Sequence, residues 1–359
     1  MIIKIFLFIV ISSLLLNCKR EENFYIDIPE DNFFESGLPV TEVCELKENL
    51  VVTGEIKSFS FTDNNSFVVS VPEPAVVILY NTEGEQLRLV GNSGKGPFEY
   101  IRPSLVRVYN DNIYVWCSML TKLLVFDTSG NPLNEYSFSR GIRDFVVFDN
   151  YVYFYSAGGF DEPIINVFDL NTGQTLEKGF GEKTSEHEIF MLRECTGGLT
   201  LSENNLLFSP THKPYVYRVN LGYLSKEEYL INDPEFNFKK TTAEPQDFIY
   251  DVVNNAEYLF GSDIITGLYH TENHVILQAE VGKIVMSGLE FKDTSNRKQK
   301  FYVFDKEMKL QFAVSSPISD RLNNCLYASN DDSFYAIGLC EDYLTYGLYR
   351  VKLFKTPNI

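Results

Sequence analysis

Apolar runs of four to six residues, each closed by a cluster of Asn, Asp, Ser or Gly, recur along most of this chain. The clearest set lies in residues 91–133. There Leu105-Val106-Arg107-Val108-Tyr109 ends in Asn110-Asp111-Asn112, Ile113-Tyr114-Val115-Trp116 follows, and Leu123-Leu124-Val125-Phe126 ends in Asp127-Thr128-Ser129-Gly130. Runs this short, bounded by turn residues, predict strands rather than helices, and apolar character on both alternating faces predicts strands covered on both sides. Sheets stacked radially around an axis meet that condition, because each sheet face is covered by its neighbour.

The middle signal, an acid or Asn pair followed by an apolar run, returns at Asn64-Asn65, Asp149-Asn150, Glu203-Asn204, Glu272-Asn273 and Asp331-Asp332. The closing run and turn return as Leu79-Tyr80-Asn81, Val167-Phe168-Asp169 and Val303-Phe304-Asp305, with weaker copies at Tyr217-Arg218-Val219-Asn220 and Tyr349-Arg350-Val351. Six units result. At roughly 40–50 residues per four-stranded blade, they fill the chain. The expected fold is an all-β, six-bladed β-propeller of four-stranded antiparallel blades over residues 41–359, with an insertion at 232–262 that breaks the rhythm and offers a lid or partner contact. Within it, residues 247–258 could form a short helix.

Residues 91–133 resemble an NHL-type repeat: a glycine-rich loop, an aromatic, Pro103, then two strands of the "iyv" and "vfd" kind. The whole chain is similar to six-bladed, NHL-like or TolB-like propeller lipoproteins of Gram-negative gut bacteria. The resemblance covers residues 40–359 as architecture. Cys117 and Ser118 stand where NHL repeats often carry an Asp, so no ligand role carries over.

The N-terminus changes the picture. Lys4 precedes an apolar block at 5–16, too short to span a bilayer, which takes about 20 residues, and Leu15-Leu16-Asn17-Cys18 resembles a bacterial lipobox. Residues 1–18 are therefore expected to be a lipoprotein signal peptide with Cys18 lipidated, and 19–40 a polar tether. One strand within the tether at Tyr25-Ile26-Asp27-Ile28, or else Leu50-Val51-Val52, is expected to close the ring. The expected address is the cell envelope, at the outer membrane. Lys19-Arg20-Glu21-Glu22 resembles charged tags that send some lipoproteins to the outer face.

A formal charge of −18 argues against nucleic acid or anionic membrane as partner. Apart from Cys18, the cysteines are Cys44, Cys117, Cys195, Cys325 and Cys340, an odd and irregular set that is not a disulfide framework. Cys117 reads as a core residue.

Catalytic motifs are missing. Gly91, Gly94, Lys95 and Gly96 lack the first Gly and the Ser/Thr of a phosphate loop, and no helix follows, so an inter-blade turn is expected there. His187, His212, His270 and His274 read as surface or strand residues, with neither metal nor cofactor implied. One pattern carries a ligand hypothesis. Arg102, Arg143, Arg193 and Arg321 each precede the first strand of a blade, with acids such as Glu99 nearby. Together with Lys95 they would form a cationic mouth for a carboxylate, sulfate or phosphate; the plainer alternative is inter-blade salt bridges. The expected function is a non-catalytic module binding an envelope protein, a glycan or an anionic small molecule. The alternatives are a glycan hydrolase or lyase and a structural subunit of an envelope complex.

Overall fold

A computed structural model of the protein describes residues 21–28, 33–35, 40–47, 54–62, 66–156, 162–191, 197–238, 244–282, 285–287, 290–293, 296–317, 326–330, 333–340 and 345–352. Six antiparallel sheets stand around a central axis. Their inner strands are Ser58–Phe61, Pro103–Tyr109, Ile142–Phe148, Gly198–Ser202, Ile264–His270 and Leu326–Asn330, and they define blades 1 to 6. All six begin at one face of the disc, its upper face, and end at the lower.

The strand alternation builds the ring. In Asn112–Cys117 of blade 2, Ile113, Val115 and Cys117 pack against Val68, Val77 and Leu79 of blade 1. The residues between them, Tyr114 and Trp116, pack against Phe145, Val147 and Phe154 of blade 3. Four further apolar clusters fill the remaining blade interfaces, the last joining Ile337 and Leu348 of blade 6 to Phe67 and Tyr80 of blade 1. Each blade is buried on both faces, as the unbroken apolar runs require. Cys117 is core as expected, and Cys340 is a buried free thiol.

Turn chemistry explains the acidic punctuation. Asn110 and Asp111 adopt φ of 47° and 59°, the left-handed pair of a tight hairpin. At the third-strand turns a side-chain oxygen of Asn81, Asp127, Asp169, Asn220 or Asp305 accepts backbone N–H groups of the following loop. The Asn131 side-chain amide first, then its backbone N–H, hold the Asp127 carboxyl below its usual range.

The N-terminal region departs from expectation. Strand β1, Glu21–Asp27, pairs in parallel with the outer strand of blade 4, and β2, Phe33–Glu35, pairs in parallel with that of blade 5. Strand β3, Val40–Glu45, is itself the fourth strand of blade 6 and pairs antiparallel with Tyr346–Val351. Ring closure therefore falls to β3, not to 25–28, and Leu50, Val51 and Val52 lie outside the described residues. Strands β1, β2 and β3 thus lie along the rim of three blades. The physical reason is that outer strands present unpaired backbone groups, which an extended polar segment satisfies without needing an apolar pattern of its own. The segment 1–18, with Cys18, lies outside the described residues.

The insertion after blade 4 is helical, with Pro245–Tyr250 and Val252–Gly261, and it stacks on a further helix, Ser185–Met191, at the upper face. Phe190, Phe248, Leu259 and Ile264 form its core. Two buried charge clusters pin it. Lys300 Nζ lies 2.6 Å from Asp233 and 2.8 Å from Glu235, and Arg297 Nη1 lies 3.1 Å from Asp263 and 2.8 Å from the Gly282 carbonyl.

Under this cap lie two of the histidines expected at the surface or on strands. His187, on helix Ser185–Met191, and His212 are fully buried with ring centroids 6.0 Å apart. Among the described residues neither ring nitrogen of His187 has a hydrogen-bond partner, and His212 Nε2 meets the Thr184 hydroxyl at 3.3 Å. Burial first, then neighbouring positive charge, lowers them to about 3 and about 2. Both are neutral in the fold, whereas the unfolded chain binds their protons below about 6.5, the ordinary histidine value. Stability is therefore intact above that pH and falls as the pH drops toward about 3, by up to ~1.4 kcal/mol per pH unit for each ring. Melting temperatures from pH 7 to 5 are expected to fall faster for the native protein than for His187→Leu/His212→Leu; parallel curves would contradict this.

Candidate functional site: the central channel

The six inner strands wall a central cavity of about 780 Å³. Its lining alternates aromatic and polar groups, including Phe59, Tyr269 and Tyr327 beside Ser58, Thr266, Gln278 and Gln299. Two inner-strand tyrosines hold the glutamines in place. Tyr269 Oη donates to Gln278 Oε1 at 2.8 Å, and Tyr327 Oη donates to Gln299 Oε1 at 2.9 Å. Burial, with Asp144 nearby, raises the Tyr269 hydroxyl, which keeps it a neutral donor. Gly267 is required beside it, because a Cβ there would sit 2.3 Å from Tyr269 Oη.

The strongest electrostatic feature is Arg107, in the middle of the blade 2 inner strand. Nη2 pairs with Asp144 of blade 3 and Nε donates to the Phe145 carbonyl at 3.1 Å. Nη1 donates to Ser58 Oγ of blade 1 at 3.0 Å and to the Val106 carbonyl at 2.8 Å. One guanidinium thus ties three blades together at the channel wall. Burial raises the Asp144 carboxyl, with Arg107 and the Phe145 N–H pulling the other way.

A β-bulge explains how Asp144 and Arg143 both reach the wall. Ile142 pairs with Ser156 and Asp144 with Tyr155, leaving Arg143 as the extra residue, so the strand turns two consecutive side chains toward the channel. Glu280 also lines the cavity, and Arg297 Nη2 lies 3.4 Å from its Oε2.

Of the residues singled out from the sequence, the structure brings Arg143 to the cavity. Arg102 does not line it: its side chain is 51% exposed and its Nε lies 4.0 Å from Glu73 Oε1 of blade 1, an inter-blade contact. Lys95 is exposed on the glycine-rich loop. Glu99 closes that loop, its Oε2 accepting the Gly96 N–H at 2.7 Å where a Cβ on Gly94 would collide with it at 2.0 Å. Tyr100 then clamps the loop to blade 1 by donating to the Val90 carbonyl at 2.8 Å and accepting the Val77 N–H at 3.1 Å. The loop is an inter-blade clasp. Arg193 and Arg321 lie outside the described residues.

Sequence reasoning missed Arg107, Gln278 and Gln299. A charged residue inside the apolar run 105–109 was the available signal for Arg107. Nothing in the glutamines' own segments marks them. Among the described residues, no three His, Cys, Asp or Glu side chains converge as metal ligands.

A family model described as a six-bladed beta-propeller, DUF5128, matches residues 21–327. A Bacteroides fragilis protein whose name describes it as exported shares 15% identity, with TM-score 0.62 over 94% of this chain and 100% of that one. A DUF4221 family member from Bacteroides vulgatus shares 10%, with TM-score 0.61 over 89% and 98%. Virginiamycin B lyase from Staphylococcus aureus shares 11%, with TM-score 0.50 over 88% and 100%. At these identities the likeness is one of fold. No curated protein matches the sequence.

Proposed function

The chain belongs to the DUF5128 family of six-bladed β-propellers, and from that footing we propose that it is a non-catalytic binding module, lipid-anchored at the outer membrane, whose channel holds an acidic glycan. The observation that carries the reading is the channel itself. Its volume of about 780 Å³ falls within the range of small-ligand sites. The wall sets aromatic faces among hydroxyl and amide groups, a pattern suited to a polyhydroxylated ligand. Arg143 supplies a guanidinium for a carboxylate or sulfate substituent. Binding is favoured over hydrolysis because each of the three lining acids faces a cation: Asp144 and Glu280 face arginines, and Glu203 Oε1 lies 3.3 Å from Lys306 Nζ. A glycosidase needs two carboxyls available to substrate and water.

The envelope address is supported by the apolar segment at 5–16 ahead of Cys18, and by the Bacteroides fragilis likeness, whose name describes export. Among the described residues no helix is long and apolar enough to cross a membrane.

The test is a thermal-shift screen of the chain from residue 19 against acidic glycans, their neutral counterparts and organic acids. A ligand present at 100 times its Kd is expected to raise stability by about 2.7 kcal/mol. Arg143→Ala is expected to weaken acidic ligands by about tenfold or more and to leave neutral counterparts unaffected. A shift that Arg143→Ala leaves unchanged would remove the channel from the reading, and turnover of the glycan would replace binding with catalysis.

A further inference from the structure

We propose that the disc meets a lipid surface through one turn of blade 4, residues 221–225, with its lower face toward the bilayer and its upper face away. This rests on the lipid-anchor reading of the N-terminal segment and gives that reading a geometry.

The placement follows from strand direction. Strand β1 runs parallel to the outer strand of blade 4, Lys226–Asn232, with Glu21 opposite Lys226. Whatever precedes Glu21 therefore leaves the fold at the same end of the blade as the turn preceding Lys226. That end is the lower face, because the inner strand of blade 4 descends to Ser202 and the third strand descends to Asn220. Strand β1 is firmly seated. Phe24 stacks on Tyr229 with centroids 5.0 Å apart, Ile26 packs into the core between blades 4 and 5, and Asn232 Nδ2 donates to Asp27 Oδ1 at 2.9 Å. Cys18 stands three residues before Glu21, so it lies at most about 10 Å from that position even with the chain fully extended. An acyl chain there leaves no room for a long tether.

The turn beside this exit differs from its equivalents. In blades 1, 2, 3 and 5 the third-strand turns read Asn81-Thr82-Glu83-Gly84-Glu85, Asp127-Thr128-Ser129-Gly130-Asn131, Asp169-Leu170-Asn171-Thr172-Gly173 and Asp305-Lys306-Glu307-Met308-Lys309. Met308 is buried, and Leu170 packs into the core between blades 2 and 3. In blade 4 the turn presents Tyr223, 89% exposed, and Leu224, 42% exposed. It is held rigidly. Asn220 Oδ1 accepts the N–H groups of Gly222 and Tyr223 at 3.0 Å each, and Leu224 adopts φ of +53°. A tyrosine beside an aliphatic side chain at a protein tip suits the headgroup region, where an apolar ring with a polar end is favoured. The lower-face hairpins carry Asp111, Asp149, Glu203 and Glu272, so the matching surface is zwitterionic rather than anionic. In this pose the upper face, with Arg143 and the helical insertion, points away from the bilayer and stays open to ligand.

The experiment uses the full chain, isolated from membranes with its N-terminal segment and reconstituted in phosphatidylcholine vesicles with or without brominated acyl chains. Tyr223→Trp is the probe. Tyr250→Trp, equally exposed but on the upper-face insertion, is the control, and the native Trp116 is buried background common to both. Bromine is expected to reduce the Tyr223→Trp emission by roughly twofold, as for an interfacial tryptophan, and to leave Tyr250→Trp unchanged. Flotation with the vesicles but equal quenching at both positions, or none at 223, would overturn the pose and leave the anchor standing. A chain that does not float with the vesicles would overturn the anchor and the pose together.

Discussion

Replacing Arg107 by methionine is expected to destabilise the protein by about 3 kcal/mol, because it strands the Asp144 carboxylate at the channel wall. The side chain is held by blades 1, 2 and 3 at once, so its loss also leaves Ser58 Oγ and the Phe145 carbonyl without their shared donor. Removing both charges should cost less than removing one. Arg107→Met/Asp144→Leu is expected to recover most of the loss, since a buried ion pair gains little over packed apolar groups of similar volume. Urea unfolding of the four proteins in this cycle gives the coupling directly. Equal stability for the two methionine-bearing variants would mean that Asp144 is not stabilised through Arg107.

Deleting residues 1–46 is expected to abolish cooperative folding, whereas deleting residues 1–20 is expected to leave the melting temperature unchanged. The longer deletion removes β3, the fourth strand of blade 6, together with β1 and β2 on blades 4 and 5. Without β3 the strand Tyr346–Val351 becomes an exposed edge, and the interface between blades 6 and 1 loses its covering of Cys44 and Leu46. Circular dichroism melts of the two truncations distinguish a strap from a tether. A chain beginning at residue 47 that melts like the longer one would show that the ring closes without the N-terminal strands.

Strands β1 to β3 show why pattern alone misplaced part of the fold. The blades were legible because the second and third strands of each are buried on two faces, so their apolar runs are nearly continuous, and because a tight hairpin demands Asn, Asp or Gly at left-handed positions. A strand added to a rim is fixed largely by its backbone hydrogen bonds, with a few side-chain contacts such as Phe24 on Tyr229, so it needs no sustained apolar pattern. Glu21-Glu22-Asn23 carries almost no apolar signal, yet it pairs in register with Lys226, Glu227 and Glu228. The histidines misled for a related reason. His187 lies on a seven-residue helix packed between Tyr155 of blade 3, His212 of blade 4 and the helical insertion, and a one-dimensional reading does not bring those segments together.

By itself the sequence determined the propeller, its six blades, its closing turns and an inter-blade turn at the glycine-rich loop, because each follows from local periodicity and turn chemistry. Tertiary structure alone decided which polar side chains share the channel. Arg107, Asp144, Ser58, Gln278 and Gln299 come from four blades and are separated by up to 241 positions along the chain, from Ser58 to Gln299. Closing the ring, a matter of inter-blade packing, puts them around one channel, and the direction of a rim strand sets Tyr223 beside the exit of the N-terminus.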